Sequence, residues 1–120
     1  MLPTTNFTPP FAITRASHVS LAVTDLERSR DFYRDVVGLV VTEENDDAVY
    51  LRGLEESAHH SLTLERAAEA KALRVGLRVR TDADILAAEK YCKQIGLEHQ
   101  RVERDHQGPT LQFTDPVGTH

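Results

Sequence analysis

His18–Leu39, HVSLAVTDLERSRDFYRDVVGL, decides the fold. From His18 to Val23 the residues alternate: Val19, Leu21 and Val23 share one face, and His18, Ser20 and Ala22 the other. That period of two predicts a half-buried strand. Thr24 followed by Glu27 reads as a capping box, in which side chain and backbone satisfy each other's free groups at a helix start. Leu26, Ser29, Phe32, Tyr33, Val36 and Val37 recur at helical spacing and predict one buried stripe. Gly38 stands where a glycine ends a helix.

The phrase returns about fifty-six residues later. Val75-Gly76-Leu77-Arg78-Val79 matches Val19-Ser20-Leu21-Ala22-Val23, Thr81-Asp82 matches Thr24-Asp25, and Gly96-Leu97 matches Gly38-Leu39. Strand, cap and stop keep their order, which predicts an internal duplication.

Outward from these units the remaining elements follow. Residues 1–16 hold three prolines and scattered apolar residues and read as an arm, with Phe7, Phe11 and Ile13 available to dock. Val40–Glu44 is a strand, Asn45-Asp46-Asp47 a turn, and Ala48–Arg52 a strand with Val49 and Leu51 on one face. His60–Glu65 is a fourth strand, with Leu62 and Leu64 on one face. Residues 17–66 thus form a βαβββ unit. Residues 72–120 repeat it as strand Leu73–Arg80, helix Ala83–Ile95 capped by Thr81 or Asp82, strand His99–Arg104 and strand Pro109–Thr114. Asp115-Pro116-Val117-Gly118 then has turn chemistry, but no strand returns before His120. The expected fold is α+β: two tandem βαβββ units forming a cupped mixed sheet, the second lacking its last strand. A sheet missing a strand leaves unpaired backbone groups on its neighbour. Either another chain supplies that strand or the chain is part of a longer protein.

The 120 residues are enough for one domain with a real core, here residues 17–120. A net charge of −5 argues against non-specific nucleic-acid binding. No run of about eighteen apolar residues predicts a membrane span, and the N-terminus lacks the basic and apolar regions of a secretory signal. The single cysteine, Cys92, cannot form an internal disulfide, which fits a reducing cytoplasm. It lies at the apolar spacing Ile85, Ala88, Cys92, Ile95 and reads as a packed thiol. No phosphate loop or serine nucleophile elbow occurs. The acidic pairs Glu43-Glu44, Asp46-Asp47 and Glu55-Glu56 read as solvated turns and strand ends, and Tyr91 as core or rim.

These units, with HVSLAV, TDLERSRDFY and GL in the first and DPVG near the end of the second, resemble the vicinal oxygen chelate superfamily, which includes glyoxalase I, bleomycin-resistance proteins and extradiol dioxygenases. Tyr50-Leu51-Arg52-Gly53-Leu54-Glu55-Glu56 with His59-His60-Ser61-Leu62 narrows the likeness to the N-terminal domain of extradiol dioxygenases acting on homoprotocatechuate-like catechols. The resemblance implies a non-catalytic module. Its parent enzyme would open catechols in a C-terminal domain, where two histidines and a glutamate hold Fe(II) or Mn(II). It also places the ligands at the start of the first strand of each unit and on the last strand of the second. His18 occupies the first position and is the one weak metal candidate. Arg74 occupies the second, and a guanidinium is not a ligand. The third would follow His120.

No catalytic, cofactor or metal residue is therefore expected in this chain. His59 and His60, adjacent on an expected strand, would point to opposite faces, and His99, His106 and His120 lack partners at ligand spacing. The expected partners are the parent's C-terminal domain or another copy at the open sheet edge. The other reading is a free-standing metal-dependent lyase or isomerase, or a metal-free binder of small molecules.

Overall fold

The computed structural model describes residues 2–120; Met1, first residue of the expected arm, lies outside the described residues. The elements are β1 (Ile13–Val23), α1 (Leu26–Asp31) running into a π turn (Phe32–Val36), β2 (Val40–Glu44), β3 (Ala48–Arg52), β4 (Leu62–Arg66), β5 (Lys71–Val79), α2 (Asp82–Ile95), β6 (His99–Arg104) and β7 (Gly108–Phe113). The fold is mixed α+β with two βαβββ-like repeats. A five-stranded sheet has the order β2-β3-β4-β1-β5, and β6-β7 form a separate two-stranded sheet. Among the described residues, the second repeat lacks the further strand that the first possesses.

The chain divides into two compact units. Ala16–Gly76 with Asp115–His120 form the larger. There β1 and β4 run parallel, while β2-β3 and β3-β4 are antiparallel. The register sets apolar residues in rows across three strands: Val49–Leu64–Leu21 and Leu51–Leu62–Val19. Leu26 of α1 closes over this face. It forms the buried core with Val49, Leu51, Leu62 and Leu64, and Leu21, Val23, Tyr33, Leu39 and Val41 pack around it.

Two sequence expectations about the first helix fail. Its cap is Asp25, not Thr24: the Asp25 carboxylate accepts from the Arg28 N–H at 3.0 Å. The predicted stripe is also broken. Leu26 is buried, but Phe32, Val36 and Val37 are half or more exposed. The cause at Val36 and Val37 is the π turn. Val37 N–H reaches back to Phe32 O, an i→i+5 bond, and the widened turn shifts every later residue around the axis. Gly38, at φ +88°, still ends the segment.

The other unit contains the N-terminal residues up to Arg15 and Leu77–Thr114. Thr81 is the cap of α2. The Asp84 carboxylate accepts from the Thr81 N–H at 3.0 Å and from its hydroxyl at 2.8 Å, and its second oxygen takes the Ala12 N–H at 3.0 Å. These donors hold Asp84 below the ordinary carboxylate range, with the Ala12 bond foremost. Ala88 and Cys92 are buried on α2, so the thiol is packed as expected. Phe11 of the arm tilts against Tyr91, ring centroids 6.2 Å apart, whereas Phe7 is exposed. β6 and β7 pair antiparallel from His99↔Phe113 to Arg104↔Gly108. No helix among the described residues is long and apolar enough to cross a membrane.

Candidate functional site

The second face of the five-stranded sheet is polar. The register that gathers leucines on one side gathers Tyr50–Thr63–Ser20 and Ala48–Glu65–Ala22 on the other. Ser20 and Thr63 are buried there, and so is His60. Burying such groups is tolerable only if each has a partner, and among the described residues no buried side-chain polar atom lacks one.

A bulge at Thr42 shapes one end of this face. Val41 pairs with Leu51, but Glu43, not Thr42, pairs with Tyr50. The inserted residue turns Glu43 onto the side that carries Tyr50. The loop between β3 and β4 does the rest. The Arg52 guanidinium donates to the carbonyls of Gly53 and Glu56, at 3.2 and 3.0 Å. The Glu56 carboxylate accepts from Gly53 N–H at 2.5 Å and from the Ser61 hydroxyl at 2.7 Å. The Leu-Arg-Gly-Leu-Glu-Glu block is thus a self-bonded loop that presents His59 and His60.

The fourth strand begins at Leu62 rather than His60. His59 and His60 therefore precede the sheet, and strand alternation does not separate them. Their Nδ1 atoms lie 3.0 Å apart, and His59 Nε2 is 3.0 Å from the Glu43 carboxylate. The ring centroids are 5.3 Å apart, so each Nδ1 lies nearly on the line joining the rings. That is the geometry of one hydrogen shared end to end; two lone pairs converging on a common cation would need the rings splayed. For neutral rings, Glu43 accepts the His59 Nε2–H, and His59 Nδ1 accepts from His60 Nδ1–H. Tyr50 sits edge-on to both rings, centroids 5.5 and 5.1 Å away.

His18 lies edge-on to His60, centroids 5.7 Å apart. Its ring also presses on Gly76 of β5, where a Cβ would sit 2.0 Å from the His18 ring carbon Cε1. Sequence reasoning missed this role of Gly76. The signal was a glycine inside a strand pattern, which marks a close approach. Arg74 donates to Glu65, forming an ion pair on the same polar face. His99 turns Nδ1 to the Leu97 carbonyl at 2.8 Å, and His106 occupies the β6–β7 turn with φ +64°.

The residues at the ligand positions expected from the sequence, His18 and Arg74, do not make a two-histidine, one-carboxylate metal centre. Arg74 has no lone pair and its charge is matched to Glu65. His59 and His60 face each other, and His18 is wedged between Gly76 and His60.

Residues 15–120 match the Glyoxalase/Bleomycin resistance protein/Dioxygenase superfamily. The chain belongs to that superfamily. It is 29% identical over 109 residues to the manganese-dependent 2,3-dihydroxybiphenyl 1,2-dioxygenase of Geobacillus genomosp. 3, a match covering 88% of this chain and 35% of the relative. It is 31% identical over 115 residues to a metapyrocatechase of Geobacillus stearothermophilus, covering 94% and 35%. The crystal structure of homoprotocatechuate 2,3-dioxygenase from Arthrobacter globiformis superposes with a TM-score of 0.84 at 38% identity, covering 95% of this chain and 38% of that one. The likeness to extradiol dioxygenases of the homoprotocatechuate type is borne out. The chain spans about a third of the length of these relatives.

Proposed function

We propose that this chain is the N-terminal, non-catalytic module of an extradiol ring-cleaving dioxygenase, an oxidoreductase whose other domain opens catechols with dioxygen at Fe(II) or Mn(II). Of the residues 1–16 expected as an arm, those from Ile13 onward belong to β1 and so to the folded module. The observation that carries the reading is the Arg74–Glu65 ion pair, which places a cation without a lone pair where the family likeness puts the second metal ligand. The one-third coverage of enzymes that do open aromatic rings supports it. On this reading the polar face is a scaffold. There His59 and His60 face each other and Tyr50 stands edge-on to both rings. The partner is the catalytic domain of the same enzyme, and a packed, unpaired Cys92 suits a cytoplasmic setting.

The test is turnover. The purified chain, supplied with Fe(II) or Mn(II) under anaerobic conditions and then given catechol, 3,4-dihydroxyphenylacetate and air, should form no yellow ring-opened product. Sustained product formation that disappears on Glu65→Gln or His18→Ala would overturn the reading.

A further inference from the structure

The half-buried arginines among the described residues are Arg30, Arg52, Arg74 and Arg104. Withdrawing a guanidinium from water costs free energy unless acceptors replace the water. The first three are well supplied. Arg30 pairs with Asp31 and Glu44, Arg74 pairs with Glu65, and Arg52 donates to the carbonyls of Gly53 and Glu56. Arg104 differs. It donates to the Gln112 amide oxygen at 2.5 Å, and among the described residues no carboxylate pairs with it. The rest of its N–H donors remain for other acceptors. The hairpin sets what stands beside it. β6 and β7 pair Gln100↔Gln112, Val102↔Thr110 and Arg104↔Gly108, so these residues share one face. None of them is acidic. Glu103 lies on the opposite face, and Asp105 lies in the turn. A guanidinium only donates, so Gln112 must turn its amide oxygen to Arg104, and its own N–H groups remain as donors. The Thr110 hydroxyl is spent on the Gly108 carbonyl at 3.2 Å. Gly108, directly across from Arg104, carries no side chain, and a Cβ built there would meet nothing within 4 Å.

We propose that Arg104 and Gln112 form a binding site for a small monocarboxylate on this face of the β6–β7 hairpin. A planar guanidinium fork matches the two oxygens of a carboxylate through parallel N–H···O bonds. Gln112 braces that fork from one side, and its amide N–H groups offer a further donor to the same anion. The charge sets the class of ligand. Arg104 is a single cation between Glu103 and Asp105 in the sequence, so it balances one negative charge and leaves a dianion under-neutralised. The space over Gly108 is that of one missing side chain, which suits the head of a small molecule. The inference goes beyond the dioxygenase reading and does not depend on it.

The experiment is a titration of the full, isotope-labelled chain followed by NMR. Sodium acetate is added, with sodium chloride at matched ionic strength as the control for screening. The Arg104 Nε–H resonance is read together with the amides of Gly108, Thr110 and Gln112. Acetate should shift these along a saturable curve, chloride should not, and Leu64 should stay in place. Arg104→Lys keeps the charge but loses the fork, and should weaken binding by about tenfold. Arg104→Met should abolish it. The amide dispersion of β6 and β7 reports whether each variant keeps the hairpin; where one does not, Gln112→Leu, which removes the brace, should weaken binding in its place. Shifts that never saturate, or that persist in Arg104→Met, would overturn the proposal. So would inorganic phosphate binding as tightly as acetate, since the site would then select charge alone. Neither catechol turnover nor metal content is read, so failure here is distinct from failure of the enzymatic reading.

Discussion

Gly76 and His18 make the clearest case at the scale of single residues. The His18 ring fills the space where a Cβ at 76 would go, and the site is flanked by the buried Ser20 and His60. Gly76→Ala should therefore destabilise the protein by roughly 1–3 kcal/mol, the usual cost of overpacking. His18→Ala in the same chain should return most of that loss. Urea unfolding of the two single variants and the double variant measures the coupling; additive losses would mean the ring and the glycine are independent. A second residue-scale prediction concerns Arg52, whose one guanidinium nitrogen serves carbonyls of both Gly53 and Glu56. Arg52→Lys keeps the charge but loses the planar fork. Faster amide exchange over residues 53–60, with the exchange of Leu64 unchanged, is the expected result. Neither relation could be read directly from the sequence, because both depend on which distant backbone lies beneath a side chain. The composition gave only hints: a glycine in a strand, and an arginine before a Gly-Leu-Glu-Glu turn.

Among the elements, the first helix and the second one divide what patterning can and cannot reveal. β3 and β4 read correctly in facing because Val49, Leu51, Leu62 and Leu64 obey a period of two that the sheet preserves. The α1 stripe failed because its period assumes about 3.6 residues per turn throughout, and the π turn at Phe32–Val36 violates that assumption. Nothing in Phe-Tyr-Arg-Asp-Val announces an i→i+5 bond. The two faces should differ sharply on truncation. Leu64→Ala, at a side chain with no exposure, should cost about 2–5 kcal/mol. Val36→Ala, on the exposed turn, should change stability by no more than about 0.5 kcal/mol. A large loss at Val36 in chemical denaturation would restore the buried-stripe reading. In α2, Thr81 is the cap of the two the sequence allowed, Thr81 and Asp82, and Asp84 is the group that makes it sensitive to pH. Its carboxyl is held below the ordinary range by Ala12 and Thr81. A depressed folded value means the folded state binds fewer protons, so the stabilisation is present above the unfolded carboxyl's range. It declines as pH falls into that range and is lost through the lower folded value. The melting temperature should therefore drop on acidification, and Asp84→Asn should melt lower at neutral pH with a shallower acid dependence.

For the whole molecule, the duplication was legible because strand, cap and glycine stop are local signals that recur in order. That β6 and β7 stand as a separate pair among the described residues agrees with that reading. The polar cluster was not legible. Glu43 joins it through a one-residue bulge, and His59 and His60 face each other because the fourth strand starts two residues later than the pattern suggests. The molecule thus keeps the duplicated framework of its superfamily while filling the polar face with groups that satisfy one another. Metal content is the direct measure of that claim. The chain incubated anaerobically with excess Fe(II) or Mn(II), then desalted and analysed by elemental mass spectrometry, should retain far less than one equivalent of either ion. Retention of one equivalent, abolished by His18→Ala or by His59→Ala, would contradict it.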